Sequence, residues 1–146
     1  MAREYVQGKY TPENPKKYAG DIRNIVYRSG WERQFMIRLD RSPSVILWNS
    51  EGLVIPYLSP VDGRKHRYFP DFLVKVQTKA VQKTFLLEIK PHAQTQLRTP
   101  KRQTRKFLNE VATYAINRAK WEAAEEFCKD QGWQFQVITE KDTVFF

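Results

Sequence analysis

Residues 68–90 read YFPDFLVKVQTKAVQKTFLLEIK and predict two neighbouring β-strands. The first strand covers residues 68–76 and the second covers residues 84–90, with a polar loop between them. Because side chains alternate along a strand, Glu88 and Lys90 share one face of the second strand and apolar residues occupy the other. Charged groups inside an otherwise apolar strand are stable only when they are paired or bound to a metal ion.

Asp71 stands near the start of the first strand, 17 residues before Glu88. When the two strands pair, Asp71, Glu88 and Lys90 meet at one point. Carboxylate oxygens are ligands that Mg²⁺ prefers, and Mn²⁺ accepts the same donors. Lys90 can then orient or deprotonate a water molecule, or offset charge on a pentavalent phosphate. The pattern predicts metal-assisted hydrolysis of DNA; the alternative is an exposed edge strand with Asp71 in a turn.

Another acid, Glu32, stands in the helix that is predicted before the sheet. Ser29 and Glu32 have the spacing of a capping box, and Trp31, Phe35 and Leu39 follow at intervals of four. The helix should end near residues 40–42, before a proline. Glu32 is either this helix cap or a catalytic and metal-binding carboxylate, and both interpretations stay open.

The rest of the chain completes an α/β pattern. Short apolar runs at residues 45–48 and 53–57 predict strands, helical patterns cover about 101–117 and 118–130, and residues 133–138 predict a last strand. The resulting α-βββ-α-β order predicts an α/β fold with a central mixed β-sheet flanked by helices. Residues 1–24 lack a clean period, and their tyrosines indicate an arm packed on a domain of residues 25–146.

Composition limits the classes of protein that remain. The chain has 146 residues, one cysteine and two histidines, which excludes an internal disulfide framework and a Cys-rich zinc site. We expect no membrane span and no signal peptide. The net charge is +9, which favours a polyanionic partner and in the first place nucleic acid.

The positive charge is concentrated after the second strand. Residues 91–121 hold seven Lys or Arg and a single acid. We expect the cations nearest the strand to bind the DNA backbone without reading sequence. The expected DNA-binding residues are Arg98, Lys101, Arg102, Arg105 and Lys106. The alternatives are a solvated helix face or a surface for an acidic protein.

The Pro-Asp and Glu-x-Lys elements resemble the PD-(D/E)xK superfamily, whose core is restriction-endonuclease-like. The whole chain, from about residue 8 to 140, is similar to the head-completion nuclease family of T-even-type tailed phages. The matching stretches include GKY at 8–10, YRSGWE at 27–32, VIPY at 54–57, EIKP at 88–91 and KW at 120–121.

This resemblance implies an endonuclease of late virion assembly, acting after DNA packaging and before tail attachment. It implies active-site positions at Asp71, Glu88 and Lys90, with Glu32 supplied by the helix. The implied partners are double-stranded DNA and phage portal or neck proteins, with no membrane and no small-molecule cofactor. The implied location is the cytoplasm of the infected bacterial host, or the head vertex of the virion.

Three other functions remain open from the sequence. One is a structure-specific junction resolvase, which would normally need a dimer. A transposon-end-cutting nuclease of the same superfamily has the same order of an early helix acid, a central Asp and an acid-x-Lys strand. A non-catalytic DNA-binding virion assembly protein would share the charge but leave the site unused. Replacement of Asp71 separates an enzyme from a binding protein.

Overall fold

The computed structural model describes residues 7–97 and 102–142. Two helices and eight strands follow one another along this part of the chain. In chain order they are β1 (Gly8–Lys9), β2 (Val26–Tyr27), α1 (Gly30–Arg41), β3 (Val45–Ser50), β4 (Ile55–Leu58), β5 (Lys65–Tyr68), β6 (Phe72–Gln77), β7 (Gln82–Ile89), α2 (Arg105–Gln131) and β8 (Gln134–Ile138).

Four strands form the central sheet in the order β3-β6-β7-β8. Strand β6 runs antiparallel to both β3 and β7, whereas β8 is parallel to β7. The sheet is therefore mixed, as the sequence predicts, and the α-βββ-α-β order of its elements is confirmed. Strands β4 and β5 form a separate antiparallel hairpin, and β1 and β2 form a second small pair.

Each face of the sheet packs against one helix. Alternation along β6 and β7 sends Phe72, Val74 and Leu87 to the face covered by α1. Leu86 lies on the opposite face, where it packs with Trp121 of α2 and with the β4–β5 hairpin. The sheet thus separates two apolar cores, and charged residues on the α2 face need their own partners.

Helix α1 begins where the capping box predicts. The hydroxyl of Ser29 accepts a hydrogen bond from the N–H of Glu32 at 3.1 Å, which satisfies one unpaired donor of the first turn. Such a cap contributes about 1 kcal/mol. The helix ends at Arg41, within the predicted range.

Two predicted elements are wrong. The single strand expected over residues 68–76 is divided between two strands. Tyr68 pairs with Ile55 in the hairpin, residues 69–71 belong to no strand, and β6 begins at Phe72. The two helical patterns after residue 100 form one helix, α2, because neither Gly nor Pro interrupts residues 105–131. Gly132 ends α2 in the left-handed conformation, with φ of 76°, as expected for a helix cap.

Residues 7–24 run along the end of α1. The Tyr10 hydroxyl donates to the carboxylate of buried Asp40 at 2.6 Å. The ammonium group of Lys17 donates to the backbone carbonyls of Leu39, Asp40 and Ser42 at 2.7–3.0 Å. These bonds satisfy carbonyls that the helix end leaves without partners.

No helix within the described ranges is both long and apolar enough to cross a lipid bilayer.

Candidate active site

The β6–β7 register brings the two central carboxylates together. Phe72 pairs with Leu87, so the preceding residue, Asp71, lies beside Glu88 at the same end of the sheet. The N–H of Ile89 donates to Oδ2 of Asp71 at 2.8 Å, which holds this carboxylate against β7. Asp71 and Glu88 are both half-buried on the face that α2 and the hairpin cover.

Lys90 follows Glu88 on the same face of the strand. Its N–H donates to the carbonyl of Ile138 at 2.9 Å and so continues the β7–β8 pairing beyond Ile89. The ammonium charge of Lys90 acts on Glu88, since it lowers the pKa of that carboxyl. The backbone therefore positions Asp71, Glu88 and Lys90 around one point.

Burial makes this pair of carboxylates electrostatically unusual. The pKa of Asp71 is raised from 3.8 to about 8, first by burial and then by the negative charge of Glu88, with smaller effects of Glu32 and Glu51. Burial also raises the pKa of Glu88, against the opposing effects of the Tyr68 hydrogen bond, Lys90 and Lys120. Two adjoining carboxylates with raised pKa values are a site where a cation would bind.

The two carboxylates fit a hard divalent cation. Oδ2 of Asp71 accepts from the N–H of Ile89 and Oε2 of Glu88 accepts from the Tyr68 hydroxyl, while the backbone of Asp71 contributes a further hydrogen bond to the Glu88 carboxylate. In residues 7–97 and 102–142, no three His, Cys, Asp or Glu side chains form a ready-made metal cluster. Two carboxylates completed by water and substrate phosphate are a ligand set typical of Mg²⁺.

Glu32 forms the helix cap and does not contact the pair. Its Oε2 accepts a hydrogen bond from the N–H of Arg28 at 2.6 Å, while its own N–H bonds to Ser29. Its charge nevertheless raises the pKa of Asp71, which indicates that Glu32 faces the same region. The structure thus gives Glu32 the capping role.

Tyr68 and Lys120 also act on Glu88, although sequence patterns did not select them as active-site residues. The hydroxyl of Tyr68 donates to Oε2 of Glu88 at 2.7 Å. The Lys120 ammonium lies 5.7 Å from the centre of the Tyr68 ring and 5.9 Å from that of Tyr57, within the range of a cation–π contact. The contact between Tyr68 and Glu88 could be predicted only if Tyr68 were assigned to the hairpin and not to the strand that follows Asp71.

Glu51 is another acid near the site that sequence patterns did not select. Its N–H donates to the carbonyl of Asp71 at 3.0 Å, and its carboxylate forms an ion pair with Arg28. Its backbone is left-handed, with φ of 52°, a conformation uncommon for residues other than glycine. Glu51 therefore joins the end of β3 to Asp71 and to the segment that caps α1.

The predicted DNA-binding residues are only partly described. Arg98 and Lys101 lie outside the described residues, and exposed Arg102 precedes α2. Helix α2 begins at Arg105, so it starts later than the helical pattern expected from about residue 101, and Arg102 lies outside it. Arg105 and Lys106 line a cleft of about 690 Å³ between residues 93–97 and α2. This cleft reaches Asn117, one helical turn before Lys120.

Two comparisons relate the chain to known proteins. The family model described as "TnsA-like endonuclease N terminal" matches residues 42–140, a span that contains Asp71, Glu88 and Lys90 but begins after Glu32. The head completion nuclease of Enterobacteria phage T4 is 39% identical over 140 residues, which cover 91% of this chain and 90% of that protein. The chain belongs to the TnsA-like endonuclease N-terminal family and to the family of the phage head completion nuclease.

Proposed function

We propose that this protein is a Mg²⁺-dependent endonuclease that cuts double-stranded DNA with little sequence preference during phage head completion. The observation that carries the proposal is the pairing of two half-buried carboxylates, Asp71 and Glu88, at the strand end that also presents Lys90. A structural ion pair would place a cation directly between the carboxylates. Here neither carboxylate forms an ion pair within the described part of the chain.

Asp71 and Glu88 would hold the metal through their carboxylate oxygens, and Mn²⁺ would replace Mg²⁺ at the same donors. A bound divalent cation supplies Lewis-acid chemistry, polarising the phosphoryl group and making water a stronger nucleophile. Bonds from Ile89 N–H and the Tyr68 hydroxyl keep one oxygen of each carboxylate in place. The donor set is therefore oriented before substrate arrives, which lowers the cost of forming the complex.

Lys90 would act on the substrate rather than on the metal. It shares the strand face of Glu88, so its ammonium group is placed to orient the attacking water and to offset charge on the pentavalent phosphate. Glu32 would assist through its carboxylate, either by holding water or as a further metal ligand. Its long-range effect on the pKa of Asp71 supports a position facing the site.

The DNA backbone would run from this centre across the start of α2. Arg98, Lys101, Arg102, Arg105 and Lys106 are proposed to bind phosphates, which adds affinity without sequence preference. Support comes from the exposure of Arg102, Arg105 and Lys106 and from the adjoining cleft. Binding by this segment should weaken steeply as salt is added, because bound phosphates release their counterions.

The name of the phage T4 relative supports a role in completing the filled head. On this proposal the protein acts in the cytoplasm of the infected bacterium, after DNA packaging and before tail attachment. Portal or neck proteins would be its partners, and it would act at the head vertex. The TnsA-like family match also supports a second candidate, a nuclease that cuts transposon ends with partner proteins.

The test is cleavage of supercoiled and linear plasmid by purified protein with Mg²⁺. We expect nicking or cutting that disappears with EDTA and with Asp71→Ala or Asp71→Asn, while DNA binding persists. Asp130→Asn is the matched control, since this exposed carboxylate lies at the end of α2. Cleavage that survives the Asp71 variants would contradict the assignment of the site, and products confined to defined ends would favour the second candidate.

A further inference from the structure

The β4–β5 hairpin has one buried face and one exposed face. Ile55, Tyr57 and Tyr68 pack on α2, whereas the alternate positions point outward. On the exposed face, Pro56 pairs with Arg67, and Leu58, which is 63% exposed, pairs with Lys65. The hairpin hydrogen-bonds to no other strand of the described chain. Its outward face is therefore available to a partner.

Positive charge is concentrated on this hairpin. Residues 64–67 read RKHR, and Arg64, Lys65 and Arg67 are exposed without an ion pair in the described part of the chain. The acid of the turn, Asp62, accepts from His66 at 2.7 Å and from the N–H of Arg64 at 2.9 Å. Three neighbouring cations that form no ion pair with a carboxylate repel one another, and a polyanion would remove that repulsion.

The cations are coupled to the candidate catalytic centre through the hairpin itself. Tyr68, the last residue of β5, donates its hydroxyl to Glu88. Arg67 precedes Asp71 by four residues, so its Cα lies at most about 14 Å from that of Asp71. This distance corresponds to about four base-pair steps of about 3.4 Å along the DNA axis. The hairpin therefore lies within a few nucleotides of a phosphate bound at the centre.

We propose that the β4–β5 hairpin is a second DNA-contacting element, in which Lys65 and Arg67 bind backbone phosphates beside the cut. The inference rests on the proposed function, because it concerns the DNA that flanks the proposed cut. A two-stranded ribbon has the width of a DNA groove, and exposed apolar residues such as Leu58 and Val61 can lie against sugars and base steps. The arrangement favours DNA over a protein partner because the strands present cations and no acid on the exposed face, and Asp62 of the turn is already bonded to His66.

The first experiment measures binding of a short fluorescent duplex in EDTA, on an Asp71→Asn background. The variant Lys65→Gln/Arg67→Gln is compared with Lys79→Gln/Lys83→Gln. The control lysines are exposed, carry the same charge, and lie at the far end of β6 and β7. We expect about tenfold weaker binding for the hairpin variant and a salt slope smaller by about 2, against a change within about twofold for the control.

Three outcomes overturn the inference. Equal affinity and salt slope for hairpin variant and parent would exclude phosphate contacts by Lys65 and Arg67. Equal losses of affinity in both double variants would show that binding depends on the overall charge and not on the hairpin. A parent protein that binds no duplex would overturn the inference together with the proposed function. Metal-dependent plasmid cleavage that Asp71→Asn abolishes, with no hairpin effect on binding, would leave the proposed function standing and remove the hairpin alone.

A second measurement tests proximity independently of charge. Cys128 is the chain's single cysteine and is 1% exposed, so an introduced surface thiol can be labelled selectively. A photo-cross-linker attached to Val61→Cys in the hairpin turn should form an adduct with the duplex, whereas the same reagent on Lys79→Cys should not. No adduct at Val61→Cys, or equal yields at both positions, would overturn the proposed contact.

Discussion

The hydroxyl of Tyr68 donates a hydrogen bond of 2.7 Å to Oε2 of Glu88 and thereby joins the β4–β5 hairpin to the central sheet. The bond lies in a buried environment, where burial and the charge of Glu88 raise the pKa of the phenol well above its usual range. Tyr68 therefore remains a donor at physiological pH. The phenol thereby holds one oxygen of the Glu88 carboxylate in a fixed position.

Tyr68→Phe should weaken divalent-cation binding and cleavage while it preserves the fold. Removal of the hydroxyl deletes one bond to a charged acceptor, an interaction of about 1.5–3 kcal/mol. We expect a 10- to 100-fold loss of cleavage at low Mg²⁺, partly recovered at high Mg²⁺, in line with losses of groups that orient metal ligands. Calorimetry with Mn²⁺ gives the same comparison without turnover.

Tyr57→Phe provides the matched control. Tyr57 lies on the same buried hairpin face and also contacts Lys120, but no hydrogen bond joins it to Glu88. It should retain the cation affinity of the parent. An equal loss of affinity in both variants would indicate that the hairpin acts through packing, not through the Tyr68 hydroxyl.

Asp71 should make the metal-free protein less stable as pH rises. Its pKa is about 8 in the folded chain against 3.8 ordinarily, so the folded state retains a proton that the unfolded state releases. The stability contributed by the protonated form is complete below about pH 4 and is lost as pH rises through about 8. Melting in EDTA across this range should show a decline that Mg²⁺ reverses at the alkaline end.

Asp71→Asn should flatten this pH dependence, because the amide carries no charge and its oxygen can still accept from Ile89 N–H. We expect the variant to melt several degrees higher than the parent at about pH 8 without metal. It should also fail to gain stability from Mg²⁺. A parent protein whose melting temperature in EDTA rises steadily from about pH 4 to 8 would contradict the raised pKa of Asp71.

The core of the site could be predicted from the sequence because its determinants are local. Alternation along one strand places Glu88 and Lys90 on one face, and the antiparallel neighbour brings Asp71 beside them. Tyr68 depends instead on a pairing with Ile55, 13 residues earlier. From the sequence, the apolar residues around Tyr68 are as compatible with the start of β6 as with the end of β5. Only the pairing with Ile55 in the folded protein separates the two strands.

Helix α2 and Glu51 show two other limits of pattern analysis. Over the 27 residues of α2 the apolar stripe moves around the helix. A side chain that recurs every seven residues is displaced by about 20° at each repeat, because an α-helix has 3.6 residues per turn. One long helix then resembles two shorter ones. The left-handed backbone of Glu51 is set by its bond to the Asp71 carbonyl and by its ion pair with Arg28, neither of which has a sequence signature.

Glu32 and Ser29 can be varied to separate capping from catalysis. Ser29→Ala removes the hydroxyl that accepts from Glu32 N–H and should cost about 1 kcal/mol of stability. Glu32→Gln keeps an oxygen for Arg28 N–H, so its stability should stay close to that of the parent. If Glu32 assists the reaction, Glu32→Gln should lower cleavage at least 10-fold, and Ser29→Ala should not. Equal cleavage in parent and Glu32→Gln would assign Glu32 to the cap alone.

Lys120 should support the site through its charge. Its ammonium group lies near the rings of Tyr57 and Tyr68 and lowers the pKa of Glu88, so its removal would favour protonation of that carboxyl. Lys120→Ala should therefore reduce cleavage about 10-fold near neutral pH and move the acidic limb of the pH–rate profile to higher pH. Lys120→Arg should restore most of the activity, because a guanidinium retains both the charge and the ring contact. A profile that is unchanged in Lys120→Ala, with activity lost uniformly at every pH, would instead assign Lys120 a role in packing α2 against the hairpin.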